Sequence, residues 1–75
     1  MELNDFVALF ADQFDETDPS EISADCKFHE LDEWSSLTGM TTIAFVRTNF
    51  GKTITGSEIR KCETVEDLYN LIINK

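Results

Sequence analysis

Trp34-Ser35-Ser36-Leu37 closes an acidic stretch and opens a run whose apolar residues recur at helical intervals. From Ser36 to Phe50 the run presents Leu37, Met40, Ile43, Ala44, Val46 and Phe50, and Gly51 stands where a helix commonly stops. A central helix is therefore expected there, with Leu37 and Met40 anchoring it from beneath. A serine at its start lies where unpaired backbone N–H groups and the helix dipole favour a nearby anion such as a phosphate. Working towards the N-terminus, the residues from about Ser20 to Trp34 read as a long acidic loop pinned by Ile22, Phe28 and Leu31. Asp18-Pro19-Ser20 breaks the helix before it, because proline lacks the N–H donor and restricts its neighbour. That first helix carries Leu3, Phe6, Val7, Phe10 and Phe14 on one stripe, with Asn4 and Asp5 as caps. Towards the C-terminus, Thr53 to Gly56 reads as an extended link and Ser57 to Lys61 as a short helix around Ile59. Thr64-Val65-Glu66-Asp67 resembles a capping box and opens a last helix bearing Val65, Leu68, Tyr69 and Ile72. The expected fold is a small all-α bundle of three main helices plus one short helix, forming one domain over residues 1–75.

Seventy-five residues are too few for a deep catalytic cleft and sit near the lower limit for an unassisted core. A hydrophobic fraction of 41%, including six Phe, nevertheless argues for a folded chain. No apolar run reaches membrane-spanning length, and the N-terminus is acidic where a signal peptide would be basic. A cytoplasmic location is expected, with Cys26 and Cys62 as reduced thiols. Charge is lopsided: residues 1–36 hold eleven acids against Lys27, while residues 37–75 hold four acids against five bases. A net charge of −9 disfavours nucleic acid and anionic membranes and suits a partner with a basic surface. Negative charge kept for solubility is the equally simple alternative.

The order of these elements, together with three local motifs, resembles the acyl carrier protein family over about Phe6 to Ile72. The motifs are Leu31-Asp32-Glu33-Trp34-Ser35-Ser36-Leu37, Phe50-Gly51-Lys52-Thr53-Ile54 and Thr64-Val65-Glu66-Asp67-Leu68. In that family the serine of an Asp-Ser-Leu motif carries covalent 4′-phosphopantetheine, and the matching residue here is Ser36. The resemblance implies a carrier, not a catalyst, with acyl groups held as thioesters for fatty-acid or more specialised acyl or polyketide-type synthesis. It implies a phosphopantetheinyl transferase and acyl-loading and acyl-processing enzymes as partners, met by a monomer. Ser35, Leu37, Thr38, Met40 and Arg47 are the partner-recognition residues so implied, and Met40, Ala44, Ile54 and Ile59 the walls of an acyl pocket. Two departures stand out: Ser35 replaces the family's usual Asp, and no carboxylate lies between Ser36 and Phe50. Asp32 and Glu33 are the nearest acids that could supply the missing charge. The absence of that Asp keeps open an unmodified helical interaction module, and the neutral helix keeps open an amino-acyl or aryl carrier.

Other motifs fail on their residues. Gly51-Lys52-Thr53 ends like a phosphate-binding loop, but Val46 occupies the required earlier glycine position. The stretch from Asp12 is no calcium hand, since Phe14, Thr17 and Ser23 take essential positions. Cys26, His29 and Cys62 offer three soft ligands at best, so no metal is expected. His29 reads as a surface loop residue and Cys62 as a small buried hydrophobe. Ser35 or Ser36 can also act simply as the N-cap of the central helix.

Overall fold

Phe6 and Phe10, four residues apart on the first helix, are fully buried and form the seam around which the chain folds. The computed structural model describes residues 2–75, and these form an all-α bundle of three longer helices and one short helix. They are α1 (Leu3–Ala11), α2 (Ser36–Phe50), α3 (Gly56–Lys61) and α4 (Val65–Ile73). The expected stripe on α1 is present, but Asn4 and Asp5 lie within the helix and do not cap it. The N-cap position falls to Glu2, whose carbonyl accepts the first helical bond from the Phe6 N–H at 3.1 Å. The helix stops at Ala11, yet Phe14 still reaches the core. Tight turns from Gln13 N–H to Phe10 O and from Phe14 N–H to Ala11 O wind the chain inward beyond the last helical residue.

The acidic segment between α1 and α2 is ordered by its own bonds. Asp18 and Glu21 form a capping box around a 3₁₀ turn at Pro19–Glu21, and a second 3₁₀ turn spans Phe28–Glu30. Ile22 and Phe28 are buried, as their spacing in an otherwise polar stretch suggests. The carbonyls of Ala24 and Cys26 accept from the N–H groups of Glu66 and Val65 at 3.0 and 3.1 Å. Those are N-terminal donors of α4 that its own helix cannot satisfy, so the loop completes α4.

Three caps define the C-terminal half. Gly51 adopts φ +65°, the left-handed conformation that glycine enters without steric cost, and ends α2 with its N–H on the Arg47 carbonyl. Thr55 and Glu58 form a capping box that opens α3, and Thr64 and Asp67 form the one expected at α4. Val65, Leu68 and Ile72 then bury one face of α4 completely. Lys52 reaches across to donate to the Ile72 carbonyl at 2.9 Å, tying the α2–α3 link to the end of α4.

Aromatic rings connect these pieces. Phe6 packs against Phe45, Phe50 and Tyr69, and through Phe10 the series continues to Phe28. Phe28 in turn meets Trp34 edge-on at 4.8 Å between centroids. Such contacts contribute about 0.5–1.5 kcal/mol each beyond area burial. They fix the position of Trp34, and so of the residues at the start of α2.

Candidate functional site

Of the apolar residues expected to line α2, Val46 is buried and Ile43 and Phe50 pack against the core, but Leu37, Met40 and Ala44 turn outward. Thr42 and Val46 are fully buried, while Leu37 and Met40 are 74% and 67% exposed and Ala44 is also exposed. The expectation that Leu37 and Met40 anchor the helix from beneath is therefore corrected. Residues 37, 40, 41, 44 and 48 share one side of a 3.6-residue helix, and Thr42 and Val46 lie opposite. Burial of Thr42 is tolerated because its hydroxyl donates to the Thr38 carbonyl at 2.9 Å. The result is a partly apolar outer face that begins directly after Ser36 and carries no carboxylate, with exposed Arg47 two turns beyond Met40 at its edge.

At the start of α2 the two serines divide their roles. Ser35 is the N-cap: its backbone is extended and its Oγ accepts from the Thr38 N–H at 3.4 Å. Thr38 adds a bond from its own hydroxyl to the Glu33 carbonyl at 2.9 Å, which holds the turn against the helix. Ser36 is the first helical residue, exposed, and its hydroxyl makes no hydrogen bond among the described residues. Its Oγ is thus available on a fixed backbone.

Glu33, one of the two acids expected to lend charge to Ser36, is committed elsewhere. Its carboxylate accepts from the Asp15 and Glu16 N–H groups at 3.0 and 3.1 Å and from the Thr17 hydroxyl at 2.8 Å. The Thr17 hydroxyl bond, followed by the backbone donors, holds its carboxyl below the usual glutamate range. Glu33 is a clamp for the acidic loop. Asp32 remains exposed beside it.

A groove of about 470 Å³ opens beside Ser36, between the first half of α2 and α3. Trp34, Ser35, Ser36, Gly39, Met40 and Ile43 form one side, Gly56, Ile59 and Arg60 the other, and His29 closes an end. Of the four residues expected to wall a pocket, Met40 and Ile59 do so; Ala44 is exposed and Ile54 is buried in the core. Ile59 serves both the groove and the core. Arg47 sits in the last turn of α2, about 16 Å along the axis from Ser36, and is not part of this constellation.

His29 has more structure around it than a surface loop residue needs. Its Nε2 lies 3.1 Å from the Ile59 carbonyl and 3.0 Å from the Cys62 carbonyl, and its ring packs tilted against Phe28 and edge-on to Trp34. A proton on Nε2 would be shared between two carbonyls at the end of α3, of which Ile59 O also accepts from the Cys62 N–H at 3.1 Å. Sequence spacing gave no sign of this, because His29 and Ile59 are thirty positions apart. Arg60 and the glycines were likewise missed. The signal available for them was Thr55-Gly56-Ser57-Glu58, which starts α3 at Gly56 and so sets Arg60 one turn above it.

Cys26 and Cys62 are free thiols, and burial pushes both above the ordinary thiol range, which disfavours the reactive thiolate. Among the described residues no group of three or more His, Cys, Asp or Glu is placed to hold a metal ion, and no helix is long and apolar enough to cross a membrane. No protein-family model, curated protein or solved structure matches this chain.

Proposed function

We propose that this protein is an acyl carrier, with 4′-phosphopantetheine joined to Ser36 Oγ. The observation that carries the reading is the division of labour at the head of α2: Ser35 caps, leaving Ser36 exposed and without a hydrogen-bond partner. The residues present fit the group. The hydroxyl is accessible, the first turn of a fifteen-residue helix favours a phosphate by roughly 0.3–1 kcal/mol, and the neighbouring groove is largely apolar. The prosthetic group would supply the thiol on which acyl cargo is held as a thioester. The chain's own residues position it: Trp34 is fixed by Phe28 and His29, and Thr38 ties α2 to the Glu33 carbonyl. Transfer and processing of the cargo belong to partner enzymes, in fatty-acid or specialised acyl synthesis, and the chain is their substrate.

Intact mass after incubation with coenzyme A and a broad-specificity phosphopantetheinyl transferase tests this. One phosphopantetheine increment is expected on the native chain and on Ser35→Ala, and none on Ser36→Ala. Modification that survives Ser36→Ala would sink the assignment.

A second reading is supported by a separate observation. Leu37 and Met40 form an exposed apolar pair on a face without carboxylates, and Glu33 is too engaged in the loop to replace the missing Asp. An unmodified interaction module would use that face directly. No mass increment with several transferases, together with partner capture that is lost in Leu37→Ala, would favour it over the carrier.

A further inference from the structure

We infer that the groove beside Ser36 binds a short apolar chain ending in a carboxylate, with Arg60 as the counter-ion. Met40, Ile43, Ile59 and Trp34 give the groove walls of hydrocarbon and indole, suited to an aliphatic chain. Gly39 and Gly56 stand on opposite walls. Gly39 is within a helix, where glycine costs about 1 kcal/mol relative to alanine. Its φ is not positive, and a Cβ there would meet Trp34 at 3.9 Å, an ordinary contact. Neither backbone conformation nor packing demands glycine at this place. What a larger side chain would remove is groove space.

Arg60 supplies the charge. A guanidinium nitrogen lies 3.5 Å from where a Gly56 Cβ would be, so the head group folds back one turn along α3 beside the groove. It forms no ion pair among the described residues. Glu58, the acid of the same helix, is taken by Lys75 at 2.9 Å and by the Thr55 N–H at 3.0 Å. The His29 Nε2 at the end of the groove is occupied by the Ile59 and Cys62 carbonyls. In a chain of net charge −9, an unpaired arginine on an apolar wall is a selective feature. A guanidinium offers a planar fork that matches a carboxylate with two parallel bonds. A neutral chain would gain the apolar walls alone, and a cationic one would be repelled. Resting on the carrier reading, this narrows the cargo to acyl groups with a free carboxylate at the far end; the groove assignment itself does not need a modified Ser36.

The test is a methyl and arginine side-chain NMR titration of the unmodified chain with hexanoate, hexan-1-ol and hexylammonium. Hexanoate is expected to shift Met40, Ile43, Ile59 and the Arg60 Nε–H saturably, and to bind about fivefold more tightly than hexan-1-ol, the advantage an exposed ion pair can supply. Arg60→Gln should remove that advantage and leave the thermal midpoint unchanged, while Gly39→Leu should weaken all binding. Equal affinity for hexanoate and hexan-1-ol, or no saturable shift at these residues, overturns the inference without reference to any variant. In a second arm the broad-specificity transferase passes the acyl-phosphopantetheine of glutaryl- or valeryl-coenzyme A to Ser36 Oγ, breaking the pyrophosphate bond and releasing adenosine 3′,5′-bisphosphate, and only the glutaryl form should shift Arg60. Failure to load breaks the carrier reading and leaves the hexanoate result standing. Loading with identical Arg60 signals breaks the inference and leaves the carrier reading intact.

Discussion

Helices α2 and α4 both start with a hydroxyl cap, yet they are put to opposite uses. At α4 the cap is a closed reciprocal pair: Thr64 Oγ1 accepts from the Asp67 N–H at 3.1 Å, and the Asp67 carboxylate accepts from the Thr64 N–H at 3.2 Å. The Cys26 and Ala24 carbonyls take two more donors, and Val65, Leu68 and Ile72 are wholly buried. At α2 the cap is one-sided: Ser35 Oγ accepts from the Thr38 N–H at 3.4 Å and lies 3.3 Å from the Thr38 hydroxyl, no acid stands in the first turn, and the exposed side carries Leu37 and Met40. One helix has its N-terminal donors satisfied and its apolar face hidden, with only Ile73 at its end exposed among its large apolar side chains. The other leaves a free hydroxyl and apolar surface at its head. Groups left unsatisfied on an otherwise well-bonded scaffold are where interaction with another molecule is to be sought.

Replacing a leucine in each helix should give the widest separation. Leu68→Ala removes fully buried methyl groups and is expected to cost about 2–5 kcal/mol in chemical denaturation. Leu37→Ala, at 74% exposure, should change stability by less than about 0.5 kcal/mol. Equal losses would mean that Leu37 is part of the core after all. Next in size is Ile59→Asp, which places a carboxylate where the core and groove meet. A thermal midpoint unaltered by that change would remove Ile59 from the interior.

The caps themselves come third. Thr64→Ala should lose about 1 kcal/mol, within the range of measured N-cap deletions, and Ser35→Ala about 0.5 kcal/mol, at the low end, because its bonds to the Thr38 N–H and hydroxyl are long. A larger loss at Ser35 would show that the head of α2 is held as firmly as that of α4.

The smallest effect concerns Glu33 and acid. Its carboxyl is held below the usual range by Thr17 and the loop amides, so its contribution is present above the ordinary glutamate pKa. That contribution fades as pH falls through the folded value. The stability difference between the native chain and Glu33→Gln should therefore be largest near neutrality and shrink from about pH 5 to pH 3. A difference constant across that range would mean that the charge on Glu33 does not hold the loop.

Much of this was legible in local residues. Gly51 ends α2 and Thr64 with Asp67 starts α4, because each acts through covalent geometry or a bond three residues away; α1, by contrast, ends at Ala11, well before Pro19, which opens a separate 3₁₀ turn. The serine pair at the head of α2 was also readable, since capping is a local competition for N–H groups. The face of α2 was not. Counting apolar residues favours Leu37 and Met40 as core, whereas in the fold Phe45 and Phe50 pack on Phe6, and Thr42 and Val46 are the fully buried residues of the helix. A buried threonine is admissible once its hydroxyl bonds the helix, and periodicity does not register that bond.

The sequence alone determined the helices, their order, the glycine stop of α2 and the hydroxyl at its head, because these depend on residues within one or two turns of each other. Only the tertiary structure decided which side of α2 faces outward, that Glu33 clamps the loop, that His29 closes the end of α3, and that Arg60 shares a groove with Ser36. Those relations join residues 16 to 33 positions apart, and they arise when burial of the aromatic cluster fixes where each helix lies.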